Sequence, residues 1–112
     1  MAAAAGCRLR HLEAYTRAAM TDVVAHYLLL YDYVEDILER RAPYREEHLE
    51  RIRAGREAGE VVMAGPLGDP PRGAAIVFKG VDKERVEQFA LQDPYVRAGL
   101  VPVWHAMRRS AL

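Results

Sequence analysis

An α+β domain of ferredoxin-like order, β-α-β-β-α-β with a four-stranded antiparallel sheet, is what this 112-residue sequence predicts. Three observations carry that prediction. Four short stretches rich in β-branched, aromatic and leucine residues alternate with two helical stretches in that order. Turn formers gather in one dense block, Gly65-Pro66-Leu67-Gly68-Asp69-Pro70-Pro71-Arg72-Gly73, between the second and third strands. The strands are apolar on both parities, unlike a strand with one face in water.

The first strand spans Val23 to Tyr33, and Val34 to Arg41 is a connection or a helical turn. Pro43 suits the first turn of a helix that runs to about Gly59. Glu60 to Ala64 forms the second strand, Gly65 to Gly73 a loop, and Ala74 to Lys79 the third strand. Asp82 is placed to N-cap a helix with Glu84 in its first turn, ending near Gln92. Gly99 supplies a positive-φ bend before the fourth strand, Val101 to Met107.

In the first strand Val24, His26, Leu28 and Leu30 share one side, and Ala25, Tyr27, Leu29 and Tyr31 the other. Ala74, Ile76 and Phe78 oppose Ala75 and Val77, while Val101, Val103 and Met107 oppose Trp104 and Ala106. Two helices cover only one face of such a sheet. A second copy is the simplest cover for the other, so the sequence predicts a homodimer packed sheet to sheet.

The 16 basic and 16 acidic residues cancel, which argues against nucleic acid as a partner. Arginines crowd residues 40–56, but Glu39, Glu46, Glu47 and Glu50 interleave with them as on a solvated helix face. Cys7 is the single cysteine, so neither an internal disulfide nor a thiolate metal site is expected, and a reducing, cytoplasmic setting fits. The longest apolar run, Val23 to Tyr31, is far short of the ~20 residues that span a bilayer, so no membrane role is expected. Residues 1–21 read as an extension ahead of a domain at 22–112. The alanine-rich segment with Arg8, Arg10 and Arg17 is a flexible tail, an organelle-type targeting peptide, or sequence upstream of a start at Met20.

Two polar strings carry the chemistry. At 100° per residue, Arg45, His48, Leu49, Ile52, Gly55 and Arg56 share the inward arc of the first helix. Glu46, Glu47, Glu50, Arg51, Arg53 and Glu57 fill the outward arc. A histidine and an arginine where apolar residues belong are either a core histidine with snorkelling arginines or a site. Gly55 leaves space beside His48 or lets a neighbour approach. The second string is Asp93-Pro94-Tyr95, where Asp93 sits at the negative end of a helix dipole, a penalty of ~0.3–1 kcal/mol. Asp-Pro is also ordinary turn chemistry.

Arg45-x-x-His48-Leu49 on the first helix, Ala64-Gly65-Pro66 after the second strand, and Asp93-Pro94-Tyr95-x-x-x-Gly99-Leu100 before the last strand resemble the YciI-like (YCII-related) family over about residues 23–108. The resemblance implies a dimeric α+β barrel and a His–Asp centred site at His48 and Asp93. It also matches Arg45 to the family's helix arginine and Tyr95 to its motif aromatic. One branch of that family dehydrochlorinates a hydroxylated aromatic.

The function this reading favours is a small cofactor-independent enzyme of isomerase or lyase type. His48 shuttles a proton, Asp93 orients it, Arg45 holds a carboxylate or phenolate, and Tyr31 or Tyr33 adds a hydroxyl. The alternative is a non-catalytic dimeric ligand-binding or accessory domain using the same pocket. A metal or haem role ranks third. His26, His48 and His105 are available, but there is no HExxH pair or Cys cluster, and no metal ligand is assigned.

Overall fold

The strand residues pair in the order β2-β3-β1-β4, every neighbouring pair antiparallel. The computed structural model describes residues 26–109. Within them run β1 (His26–Asp32), α1 (Ile37–Arg40), α2 (Ala42–Glu57), β2 (Val61–Leu67), β3 (Gly73–Lys79), α3 (Lys83–Gln92), α4 (Pro94–Arg97) and β4 (Val103–Arg108). Residues 23–25 of the predicted first strand, and the predicted extension, lie outside the described residues. The ferredoxin-like order stands, with β1 and β3 at the centre.

Two strand boundaries shift by more than one residue from the sequence expectation, and one element is new. The Gly65–Gly73 block is not all loop: Gly65, Pro66 and Leu67 belong to β2, and the turn shrinks to residues 68–72, closed by Arg72 N–H on the Leu67 carbonyl at 2.8 Å. β2 is an edge strand, where a proline without an N–H is tolerated. β4 begins at Val103 rather than Val101, because Pro102 intervenes and Val101 turns into the core. The short helix α4 was not expected. It forms because Pro94 is pre-set for a first helical turn and Asp93 caps it.

Alternation along the strands separates two faces. Leu29, Tyr31, Ala74, Ile76 and Phe78 point to the helices and are buried with Ile37, Val86, Phe89, Ala90, Tyr95 and Leu100. Phe78 and Phe89 meet edge to face at 5.2 Å between centroids. Asp82 caps α3 as expected, accepting from Arg85 N–H at 2.9 Å. Gly99 takes φ 77°, the bend anticipated ahead of β4.

The long helix α2 is the exception to apolar packing, since His48 is its one buried residue among those described. Gly55 lies against Val61, where an added Cβ would meet the valine methyl at 2.6 Å. Arg51, expected on the outward arc, is instead drawn onto α3. It donates to the Phe89 carbonyl at 2.9 Å, with its guanidinium 4.2 Å from the Phe89 ring centroid. The flank of α2 is therefore covered as well as its underside. Among the described residues no helix is long and apolar enough to cross a membrane.

Candidate active site

Asp93 joins two helices. It closes α3 and opens α4, so the positive N-terminal end of α4 answers the dipole penalty expected at the end of α3. Its carboxylate is 0% exposed and accepts three hydrogen bonds. Tyr95 N–H donates to Oδ1 at 2.9 Å, the Tyr31 hydroxyl donates to Oδ2 at 2.8 Å, and His48 Nδ1 lies 3.0 and 2.9 Å from Oδ1 and Oδ2. A buried carboxylate needs this many partners, because an unpaired charge out of water is costly.

With Nδ1–H given to the carboxylate, the neutral imidazole keeps its lone pair on Nε2. The ring plane is fixed by Tyr95, stacked on it at 4.0 Å between centroids and 8° between planes. Tyr33 meets Tyr95 edge-on at 6.1 Å, extending the aromatic wall. His48 is thus oriented by a carboxylate and a ring, as a general base is in a triad.

The imidazole borders a cavity of about 310 Å³ between α2 and the sheet. Its floor is Ala64, Pro66, Ala74 and Ile76, and its roof includes Leu49 and Ile52. Small floor residues beneath a helix with few large apolar groups leave the volume unfilled. Arg41, Arg45, Arg53 and Arg56 also line it, with Tyr33 and Tyr95.

The site residues named from the sequence divide into two layers. His48, Arg45 and Tyr95 line the cavity, while Asp93 lies behind His48. Tyr31 is not at the cavity; its hydroxyl is spent on Asp93, and it is 1% exposed. Parity places Tyr31 on the helix side with Leu29, but its position along β1 brings its hydroxyl to Asp93 rather than to the cavity. Sequence reasoning missed Arg41 as a lining residue. Its signal was spacing, one helical turn before Arg45. Arg56 was placed on the inward arc but given no role. His26 and His105 share the parity of Leu28 and Leu30, so the sheet separates them from His48.

Burial pushes the Tyr31 phenol far up, and the Asp93 carboxylate it faces adds to the effect. Burial, then Tyr95 and Asp93, push Tyr33 up to about 12 against the pull of Arg41 and Arg45. Tyr95 is raised by burial and opposed first by Arg45. All three therefore stay neutral at physiological pH, and Tyr31 donates its hydroxyl to Asp93. The Tyr95 hydroxyl is buried without a well-formed hydrogen bond, beside the Arg45 guanidinium. An unsatisfied polar atom next to a cavity is the kind of group a ligand completes.

A helix-on-sheet domain of ferredoxin-like order with a buried His–Asp pair under its long helix has the fold of the dimeric α+β barrel proteins. The chain belongs to the YCII-related domain family, whose model matches residues 25–107. An uncharacterised protein of Haemophilus influenzae is 26% identical over 84 residues, covering 67% of this chain and 86% of that protein. Among solved structures, 5-chloro-2-hydroxyhydroquinone dehydrochlorinase from Burkholderia phenoliruptrix, in complex with 2,5-dihydroxybenzoquinone, superposes with a TM-score of 0.63. It is 19% identical and covers 74% of this chain and 91% of its own, a likeness of fold.

Proposed function

We propose that the protein is a small-molecule enzyme of isomerase or lyase type in which His48 moves a proton on a hydroxylated aromatic or other anionic substrate. The observation that carries this reading is the contact of His48 Nδ1 with the buried Asp93 carboxylate, 2.9 Å, beside a cavity of single-ring size. Nε2 takes a proton from substrate and returns it to a neighbouring atom or to a leaving group. Asp93 fixes the tautomer and stabilises the imidazolium that forms. Arg45 and the Tyr95 hydroxyl hold the developing oxyanion. Support of a separate kind comes from the structural neighbour, whose name and bound molecule are those of an enzyme for a hydroxylated ring.

The test is turnover of hydroxylated and chlorinated hydroxylated aromatics by the purified protein and by His48→Ala. A loss of about 10²–10⁴ in kcat in a normally folded variant is expected, the usual contribution of a positioned acid–base. Full turnover by the folded variant ends the catalytic reading.

The same proposal includes a homodimer. Leu28, Leu30, Ala75 and Val77 lie on the sheet face away from the helices, with Met63 at 62% and Met107 at 54% exposure beside them. Val103 and Leu67 extend the apolar surface to the rim. A contiguous patch of this kind is uncommon on a monomer. Two copies related by a twofold axis cover it and leave each cavity open on the helix side. Sedimentation velocity is expected to show a dimer at micromolar concentration and a monomer for Leu30→Glu. A wild-type monomer at that concentration defeats the sheet-to-sheet dimer.

A further inference from the structure

We propose that the cavity is built for a single-ring ligand carrying two anionic groups, one at each end. This rests on the acid–base reading for where chemistry occurs, and adds the charge and shape of the substrate. Arg41 and Arg45 stand at the start of α2 and Arg56 near its end, while His48 and Ile52 lie between them. At 1.5 Å per residue, roughly 16 Å of helix axis separates the Cα atoms of Arg45 and Arg56. Long arginine stems let both guanidinium groups lean over the space between.

The cavity lining holds four arginines and no acid. Arg53 is already engaged, 2.8 Å from Glu50 and 3.5 Å from Glu46. Arg41, Arg45 and Arg56 have no carboxylate partner among the described residues. The one buried carboxylate nearby, Asp93, has its oxygens committed to Tyr31, His48 and Tyr95. Positive charge at both ends of a small cavity with apolar walls focuses potential onto an anion at each end. Between them Leu49, Ile52, Pro66 and Ile76 offer apolar contact to a ring. One anionic group would rest by Arg45, Arg41 and the unsatisfied Tyr95 hydroxyl, near His48. The other would pair with Arg56, which makes Arg56 the residue that selects the distal charge.

Titration calorimetry at low salt with benzene-1,4-dicarboxylate and 4-carbamoylbenzoate tests this, because the two probes share shape and differ by one charge. The dicarboxylate is expected to bind about tenfold more tightly, with the advantage shrinking as salt screens it. Arg56→Gln, a change at an exposed position, is expected to abolish the advantage by weakening the dicarboxylate much more than 4-carbamoylbenzoate. Arg45→Gln is expected to weaken both probes. Equal binding of the two probes by the wild type, equal weakening of both by Arg56→Gln, or no binding of either at millimolar concentration overturns the proposal. Its failure is separate from failure of the catalytic reading, which is judged by turnover in His48→Ala: selective dicarboxylate binding with full His48→Ala turnover leaves the ligand proposal standing and removes the acid–base one.

Discussion

Asp93→Ala is expected to be the most damaging single substitution near the cavity, destabilising the protein by about 3–5 kcal/mol, since each buried donor left without an acceptor costs roughly 1–3 kcal/mol. Domains of this kind are stable by only about 5–15 kcal/mol, so a large share of the margin goes. The cause is what remains behind. Three donors lose their acceptor at once: the Tyr31 hydroxyl, the Tyr95 N–H and His48 Nδ1. The start of α4 also loses its cap. Asp93→Asn separates the structural role from the chemical one. The amide oxygen still accepts from Tyr95 N–H, and the Tyr31 hydroxyl rotates to accept from the amide. The amide N–H then stands where His48 Nδ1 met its nearer oxygen, which favours moving the imidazole proton onto Nε2, the wrong nitrogen for a base aimed at the cavity. The fold is expected to persist, while kcat falls by about 10²–10⁴ in line with triads that lose the acid partner. Urea melts measure the first effect, and ¹⁵N shifts of the His48 ring report the tautomer without needing a substrate. An Asp93→Ala protein as stable as the wild type, or an Asp93→Asn protein with the native tautomer, would show that the pair does not hold the site.

The pairing of His48 with Asp93 was partly legible in the sequence, and the reason is local rule-breaking. His48 occupies an inward helical position that normally goes to an apolar residue, and Asp93 sits where a dipole disfavours it. Each has an innocent explanation by itself, and only their order within the β-α-β-β-α-β pattern, with the family resemblance, placed them together. Tyr31 was less legible. Strand alternation says which face it takes but not which helix lies above that point of the face. The same limit hid α4, whose four residues fall below what hydrophobic periodicity detects. The turn was misjudged for another reason: Pro and Gly mark loops in a central strand, yet Gly65 and Pro66 lie in an edge strand, where one side of the backbone needs no partner. Arg51 shows the converse limit. A helical wheel assumes one covered side, and α3 supplied a second.

Gly73→Ala is expected to damage the site from a distance, with a loss of roughly 2–4 kcal/mol and weakened activity, although residue 73 does not line the cavity. Gly73 opens β3 and pairs with Asp32 of β1 and Leu67 of β2. A Cβ there would collide with the Tyr31 carbonyl oxygen and lie 3.2 Å from the Tyr31 carbonyl carbon. Every near atom it would meet is β1 backbone, so nothing flexible can move aside and the β1–β3 pairing must open at this end. That opening displaces Tyr31, whose hydroxyl reaches Asp93 from the same strand. Asp93 in turn holds His48. The strain is thus transmitted through one side chain to the His48–Asp93 pair, which links a turn on the sheet to the orientation of the imidazole. Gly65→Ala is the matched control. It lies on the edge strand, on the face proposed to meet a second copy, with nothing of its own subunit within 4 Å of an added Cβ, and subunit stability is expected to change by no more than about 0.5 kcal/mol. Urea midpoints at constant m compare the two. Identical midpoints for the alanine variants at 65 and 73 would mean that β1 and β3 yield at this junction without cost, and that Tyr31 does not need the pairing to reach Asp93.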